Sequence, residues 1–346
     1  MPGKRLFSDP RLPFGILGGL LLLLLLAVAG VRLLGIEGAL LYTDLPRVEL
    51  PLVRPEPESP PDPSAGSAEP PEIFGEPMAG APPLEVPAAL LRPGPHGAVP
   101  RRAEDGRSPF SAYRSSFAIQ PDRPRIALVV VGLGLARDPT FTATELPAPF
   151  GLAFSPYGRR LAGWMRYGRW RGHEVLLELP VRPARFPLDD AGPLAIAPDL
   201  PAERLNQRLE TVLASGKGYF AVTVAPGAYL AAPEKLEPVL TRLAKAGLGL
   251  VELGSNRLAE AAARRGLPYA WSDPPIDLDP APEAIDLALG RLETRALRDG
   301  AALGTLEGAA ITYARLQQWL PSLEAKGLQL VPPSRVFAGP AGRASE

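Results

Sequence analysis

The chain has 346 residues, with 37 basic and 37 acidic side chains, so its formal net charge is zero. This balance provides no general electrostatic attraction to nucleic acid, and none is expected as a partner. The absence of cysteine excludes disulfides and thiolate metal ligands, and two histidines, His96 and His173, leave little for an imidazole-based site.

The first predicted element is a membrane-spanning helix. Residues 13–31 form an uncharged run that includes seven consecutive leucines, and this length can cross a bilayer core of about 30 Å. Because Lys4 and Arg5 precede it, we predict a cytoplasmic segment over 1–12, a signal anchor over 13–36, and export of everything that follows. The expected location is the bacterial inner membrane, with the C-terminal domain in the periplasm. Since residues 27–29 read Ala-Val-Ala, secretion after signal cleavage is the alternative.

The second predicted element is a proline-rich linker over residues 37–124. Residues 45–124 contain 19 of the 44 prolines, one of them beside His96. Proline interrupts helices and sheet ladders, and a segment with few large apolar residues does not repay the entropy of ordering. The composition therefore predicts a disordered spacer between the membrane and a folded domain.

From residue 125, short apolar runs alternate with amphipathic stretches, which is typical of βα repeats. The predicted strands cover residues 126–131, 151–154, 174–179, 219–224, 249–253, 269–271, 302–306 and 328–331. The predicted helices cover residues 158–171, 201–215, 233–246, 256–265, 282–299 and 312–326. We expect a parallel α/β domain over 125–336, as a barrel or an open sheet, and a flexible tail over 337–346. A ligand would bind at the carboxyl ends of the strands.

One loop invites a comparison with nucleotide-binding proteins. Gly132 and Gly134 follow the first strand, but Arg137 stands where the dinucleotide fingerprint requires a small residue. The next strand also ends without an acidic residue. The sequence therefore does not favour nucleotide binding.

Several phrases, in this order, resemble the divergent polysaccharide deacetylases, relatives of the NodB-type carbohydrate esterases. They are Arg-Ile-Ala-Leu-Val-Val-Val-Gly-Leu-Gly-Leu at 125–135, Leu-Pro-Ala-Pro-Phe-Gly-Leu-Ala-Phe-Ser-Pro-Tyr at 146–157, Arg-Gly-His-Glu-Val-Leu-Leu-Glu-Leu-Pro at 171–180, Gly-Tyr-Phe at 218–220, Trp-Leu-Pro at 319–321 and Leu-Val-Pro-Pro-Ser at 330–334. The resemblance covers residues 125 to about 334 and implies a distorted (β/α) barrel. It also implies a divalent metal such as zinc, held by aspartate and histidine, that activates water to remove an acetyl group from a sugar.

The positions that carry this chemistry in the family are substituted here. The family's metal-binding and basic residues fall on Val131, Gly132, Glu178, Ala225 and Glu307. We therefore expect no catalytic residue of the family type and no bound metal. His173 matches a structural phrase of the family and is interpreted as a packing or capping residue.

Other polar residues are candidates for lining a cavity. Glu178 and Glu307 stand at two converging strands, where they could hold a hard cation, form hydrogen bonds or pair with a basic side chain. Tyr157 could stack on a sugar ring, as could Trp164, Trp170 and Trp271, although such residues more often pack in the core or at the rim. Asp273 and Asp277 could line the rim or stabilise a turn.

The sequence thus leaves three hypotheses. The leading one is an exported, membrane-anchored pseudoenzyme whose deacetylase-like domain binds a glycan or an envelope protein. The second is an active carbohydrate deacetylase or other hydrolase with a relocated or glutamate-based metal site. The third is a purely structural envelope protein recruited through the proline-rich segment.

Overall fold

The structure, a computed structural model, describes residues 70–73 and 75–338. The ten strands of this part of the chain are β1 Leu91–Arg92, β2 Val99–Pro100, β3 Arg125–Leu133, β4 Gly151–Phe154, β5 Glu174–Leu179, β6 Ala221–Val224, β7 Gly249–Glu252, β8 Tyr269–Trp271, β9 Ala301–Leu306 and β10 Gln329–Leu330. The helices of the same part are α1 Pro109–Ala112, α2 Arg137–Thr144, α3 Leu161–Trp170, α4 Ala202–Ala214, α5 Glu237–Ala246, α6 Ala259–Ala263, α7 Pro282–Asp299, α8 Ala310–Trp319 and α9 Ser322–Ala325.

Seven parallel strands form a nearly closed barrel in the order β9-β3-β4-β5-β6-β7-β8. A parallel bridge between Ser272 and Leu303 connects β8 to β9. β10 pairs with the first two residues of β3. The predicted distorted (β/α) barrel agrees with this topology. The open-sheet alternative is wrong, because the bridge between Ser272 and Leu303 joins the two ends of the strand order, β8 and β9.

Proline explains where two predicted helices divide. The helix predicted over 233–246 is a 3-10 turn, Pro233–Leu236, followed by α5, because Pro238 in the first turn of α5 has no N–H to donate to the preceding turn. The helix predicted over 312–326 is likewise split into α8 and α9 around Pro321. The prediction for α7, residues 282–299, matches its observed bounds.

Alternate residues along each strand point to opposite faces of the barrel wall. One set packs outward under the helices and includes Leu128, Leu152, Leu177, Val222 and Leu250. The other set faces the interior and includes Val129, Ala153, Leu176, Val251 and Leu303. The interior set contains several small side chains, which suits a narrow barrel that must be filled without voids.

The prediction of a disordered linker is wrong for residues 75–124, here called the basal segment. It contains β1, β2 and α1, and it packs against the amino ends of the barrel strands. Leu90 and Tyr113 are buried in the same cluster as interior residues of β3 and β5. Proline prevents long helices and ladders in this segment. Burial of apolar surface against the barrel nevertheless offsets the conformational entropy lost when the segment becomes ordered.

An aromatic cluster joins the basal segment to the amino end of the barrel, here called the barrel floor. The Phe110 ring lies 5.7 Å from that of Phe220, which precedes β6, and 5.2 Å from that of Phe337. Gly249 begins β7 directly beneath this cluster, and a Cβ there would lie 2.8 Å from both Phe110 and Phe337. The first residue of β7 must therefore be very small.

The first two residues of the predicted flexible tail, 337 and 338, pack against the barrel. Phe337 is buried, and the backbone N–H of Ala338 donates to the Tyr269 carbonyl at 2.9 Å. The rest of the predicted tail, the predicted anchor over 13–36 and residues 37–69 of the predicted linker lie outside the described residues. Within residues 70–73 and 75–338, the structure shows no helix long and apolar enough to cross a membrane.

Candidate functional site

A cavity of about 780 Å³ opens at the carboxyl ends of the barrel strands. This is the end at which ligands bind in parallel α/β barrels, and the volume falls within the usual range for ligand cavities. All five positions that the resemblance singled out line this cavity: Val131, Gly132, Glu178, Ala225 and Glu307. Tyr157 lines it as well, so the structure brings these six predicted residues together.

Glu178 stands at the centre of the site because it points inward near the end of β5. Its Oε1 accepts a hydrogen bond from the backbone N–H of Gly132 at 2.5 Å. Burial raises the pKa of the Glu178 carboxyl, the Gly132 hydrogen bond lowers it, and the negative charge of Glu307 raises it; the net pKa is about 7.

Gly132 provides that N–H because β3 is irregular at its end. The pairing of β3 with β4 shifts register between Val130 and Leu133, and Gly132 adopts a left-handed φ of 78°. Glycine tolerates this conformation readily. A Cβ on Gly132 would meet open space, so this position has room for a side chain but supplies only a backbone donor.

Glu307 extends from the end of β9, in a loop that Asp277 holds in place. The Asp277 carboxylate accepts hydrogen bonds from the backbone N–H groups of Glu307 and Gly308, each at 2.9 Å. It also accepts one from the Thr312 hydroxyl at 3.0 Å. Asp277 therefore organises the loop beneath Glu307 and does not itself line the cavity.

Asp273 lies elsewhere, on the outer side of the contact between β8 and β9. Its carboxylate is 3.0 Å from Nη1 of Arg295, whose guanidinium lies 4.4 Å from the centre of the Trp271 ring. Arg295 also donates to the Leu303 carbonyl at 2.6 Å. The expectation that Asp273 borders the cavity is not met, because its partner belongs to the outer helix α7.

Tyr157 holds the long loop that follows β5. Its hydroxyl donates to the Ala191 carbonyl at 2.7 Å and accepts from the Leu194 N–H at 3.1 Å. The ring borders the cavity while the hydroxyl is occupied by the loop. Of the four aromatic residues considered for sugar stacking, Tyr157 alone reaches this cavity in the described structure: Trp164 is buried, and neither Trp170 nor Trp271 lines it.

Both histidines lie away from the cavity. His173 precedes β5 at the opposite end of the barrel, where Nδ1 is 3.0 Å from the Phe150 carbonyl and Nε2 is 3.1 Å from the Thr144 carbonyl. Burial lowers the pKa of the His173 ring to about 4, which keeps it uncharged at neutral pH. The neutral ring has one N–H and therefore donates to one of these two carbonyls. His96 is exposed in the basal segment.

The glycine-rich loop after β3 packs closely against the start of α3. A Cβ on Gly134 would lie 2.7 Å from Leu161, the first residue of α3. The Gly134 N–H donates to the Thr140 hydroxyl at 2.8 Å, so this donor is not available to a phosphate.

The residues at this site do not fit the metal that the family resemblance implies. Val131, Gly132 and Ala225 have no ligating side chain, and the described residues contain no group of three or more His, Cys, Asp or Glu side chains that could hold a metal ion. Two carboxylates remain, fewer than the three or more protein ligands of a typical catalytic zinc site.

Sequence reasoning missed Ser155, Thr223 and Asp190, which also line the cavity. Thr223 pairs in register with Glu178, and Ser155 continues the inward alternation of β4. The period of two along each strand could have identified Ser155 and Thr223. Asp190 could not have been identified in this way, because it lies in an irregular loop.

We predict that replacing Glu178 with Gln removes a pH dependence of folding stability. The folded-state pKa is raised, so the stability associated with this group is complete below the unfolded-state pKa of about 4.3 and declines as pH rises through about 7. Glutamine stays neutral and retains an oxygen for the Gly132 N–H. The variant should therefore exceed the wild type by about 1–2 kcal/mol at pH 8 and match it near pH 4, measured by urea unfolding.

Glu307→Gln is the matched comparison. Removing the Glu307 charge leaves Glu178 titratable, so the pH dependence should persist with its midpoint at lower pH. An unchanged slope between pH 4 and pH 8 in Glu178→Gln would show that another group is responsible.

The barrel and its cavity define a (β/α)-barrel protein of the NodB-like deacetylase type. The sequence matches the family described as divergent polysaccharide deacetylase over residues 128–337. The chain belongs to this family.

A solved structure supports the assignment. The crystal structure of an uncharacterized protein from Agrobacterium tumefaciens C58 is similar to this chain, with 30% sequence identity and a TM-score of 0.64. The match covers 69% of this chain and 98% of that one. A dihydropteroate synthase of Yersinia pestis shares 11% identity over 61% of this chain and 97% of its own, but its TM-score of 0.21 is too low to support any inference. A comparison with curated protein sequences gave no significant match.

Proposed function

We propose that this protein is a membrane-anchored, exported member of the divergent polysaccharide deacetylase family that binds a cell-envelope glycan without deacetylating it. The observation that carries the proposal is the combination of a retained cavity with Val131, Gly132 and Ala225 at three of its key positions. Selection for catalysis would require ligating side chains there, whereas selection for binding requires only the cavity.

The surface around the cavity also suits binding. Exposed apolar side chains occur in loops that follow β3, β5 and β8, namely Leu135, Leu188 and Leu278, which are 61%, 85% and 72% exposed. Because these loops follow parallel strands, they extend from the same end of the barrel as the cavity. Exposed apolar groups around a concave site are typical of a surface that contacts a partner.

A membrane anchor over residues 13–36 would put this binding surface in the envelope. Residues 13–36 would hold the protein in the inner membrane, and the barrel would reach glycan on the periplasmic side. Signal cleavage would release the same domain as a secreted binder.

The experiment has two parts, both with the purified full-length protein in detergent. Acetate release from acetylated chitin oligomers and peptidoglycan, with Zn²⁺, Co²⁺ or Mg²⁺ supplied, should not exceed that of a protein-free control. Retention of the protein on immobilised envelope glycan should be measurable, and Ala225→Trp, which fills the cavity, should abolish it. Leu297→Trp, an exposed position on α7, is the control and should bind normally.

Either of two results would contradict the proposal: stoichiometric metal together with acetate release, or no retention on any envelope glycan. The first would favour the second candidate, a hydrolase with a glutamate-based site. That candidate rests on the pKa of Glu178, which is raised to about 7 and suits a general acid or base at neutral pH. Glu178→Ala and Glu307→Ala should then abolish the activity while the protein remains folded.

A further inference from the structure

The cavity carries negative charge with no cationic side chain to balance it. Its lining includes Glu178, Glu307 and Asp190, and neither lysine nor arginine occurs in the lining formed by the described residues. Three nearby arginines have other partners: Arg182 pairs with Asp199 at 2.9 Å, Arg185 pairs with Asp189 at 2.8 Å, and Arg208 donates to the Ala195 carbonyl at 2.5 Å. The site is therefore set up electrostatically for a cation brought by a ligand.

The acceptors that face this cavity are available. One oxygen of Glu178 accepts from Gly132, while the other has no hydrogen-bond donor among the described residues. Thr223, next to Glu178 in register, has no side-chain hydrogen bond in the same part of the chain. The Glu307 carboxylate forms no ion pair with any described side chain, although its backbone N–H is held by Asp277.

A bound cation would relieve the electrostatic repulsion between Glu178 and Glu307. Burial and the charge of Glu307 both raise the pKa of the Glu178 carboxyl, to about 7. A cation placed between the two carboxylates would reverse the second effect and compensate the first, because it favours the charged form of each group.

The hydrogen-bond acceptors in the cavity suit a protonated amine better than a zinc ion. A zinc site needs three or more protein ligands, and the described residues contain no group of three or more His, Cys, Asp or Glu side chains that could supply them. A protonated primary amine has three N–H donors, which match the free oxygen of Glu178, the hydroxyl of Thr223 and the carboxylate of Glu307.

The walls of the cavity suit a ring attached to that amine. The Tyr157 ring and several prolines form rigid apolar sides: Pro156, Pro180, Pro183 and Pro193. The C–H faces of a pyranose pack favourably on such surfaces, and the cavity volume of about 780 Å³ is sufficient for a small saccharide.

We propose that the cavity recognises an amino sugar with a free, protonated amine, in preference to the N-acetylated or the neutral sugar. This inference rests on the proposed glycan-binding function and specifies its ligand class. An acetamido group would bring no charge and would leave the carboxylates facing each other without compensation.

The test compares three trimers of the same β-1,4-linked sugar ring, which carry an amine, an acetamido group or a hydroxyl at carbon 2. Binding to the full-length protein in detergent is measured by isothermal titration calorimetry at low salt and at pH 6.5, where the sugar amine carries its proton. The amine trimer should bind at least about tenfold more tightly than the other two. This factor in Kd corresponds to the free energy of one hydrogen bond between charged groups. The preference should decrease in high salt.

Two variants assign the effect to the carboxylates. Glu178→Gln should weaken binding of the amine trimer about tenfold, whereas Glu307→Gln, at a more exposed position, should weaken it about threefold. Neither should affect the two uncharged trimers. Glu260→Gln, an exposed side chain of α6 outside the cavity, should bind all three like the wild type.

The outcomes separate this inference from the function on which it rests. Equal binding of the three trimers, abolished by Ala225→Trp, would overturn the amine preference and leave glycan binding intact. Failure of all three trimers and of envelope glycan would overturn both. Equally tight binding of butylamine and the amine trimer would overturn the assignment to sugars, because the walls would then contribute nothing.

Discussion

Arg169→Ala should lower the free energy of unfolding by about 3–5 kcal/mol, one of the two largest effects expected for a single substitution in this protein. The Arg169 guanidinium is 1% exposed and donates only to backbone carbonyls. It reaches Pro83 at 2.9 Å and Leu84 at 3.0 Å in the basal segment, and Lys217 and Gly218 at 3.1 and 3.2 Å before β6. Alanine would leave these buried carbonyls without donors.

Burial lowers the pKa of Arg169 to about 10, so the side chain remains charged at neutral pH and its five donors stay available. Arg169→Lys should recover only part of the stability, because a single ammonium cannot reach carbonyls on both sides. Limited proteolysis should cut the basal segment of the alanine variant before the barrel itself is degraded.

The control is Arg298→Ala, since Arg298 is exposed and pairs only with the adjacent Asp299. Its unfolding free energy should stay within about 0.5 kcal/mol of the wild type. If Arg169→Ala behaved like this control, the basal segment would not depend on Arg169 for its attachment.

Glu174→Ala should be similarly destabilising, by about 3–5 kcal/mol. Glu174 is the first residue of β5 and is fully buried. Its carboxylate accepts from the Ser115 N–H at 2.8 Å, the Ser334 N–H at 2.7 Å and the Ser334 hydroxyl at 2.6 Å. One side chain therefore joins the basal segment, the barrel and the segment after β10.

Glu174→Gln tests whether the three hydrogen bonds require two carboxylate oxygens or whether a side chain of the same volume is sufficient. Ser115 and the Ser334 hydroxyl donate to one oxygen and the Ser334 N–H to the other, so the amide nitrogen of glutamine would face a donor in either orientation. We expect a loss of about 1–3 kcal/mol in urea unfolding. Glu324→Gln, at an exposed position, should change stability by no more than about 0.5 kcal/mol. A Glu174→Gln protein as stable as the wild type would contradict this account of the network.

The strands of the barrel were predictable because their signal is local. The predicted residues 151–154, 174–179 and 269–271 coincide with β4, β5 and β8, since each is a short apolar run bounded by turn residues. Closure of the barrel was not predictable from these runs, because a strand carries no local mark of which distant strand it pairs with. The contact between β8 and β9 that closes the barrel was decided by the packing of the whole domain.

The site was predictable where strand register determined it. Glu178 and Glu307 were expected to converge, and both line the cavity. Asp273 and Asp277 were grouped by sequence proximity, yet the chain turns between them, so that one contacts Arg295 outside the barrel and the other the loop after β9. Loop residues follow no fixed period, and neither their direction nor the position of Asp190 could be deduced.

By itself, the sequence determined the βα repeat, the family resemblance and the replacement of the family's metal-binding residues, because each depends on residue identity and local spacing. Only the tertiary structure decided the role of the proline-rich region from residue 75 onward. Composition measures how much apolar surface a segment can bury within itself, and this segment has little. Leu90, Phe110 and Tyr113 instead bury their side chains against the barrel floor. The stabilisation from this burial cannot be deduced from the segment's composition, because the surface it packs against belongs to the barrel.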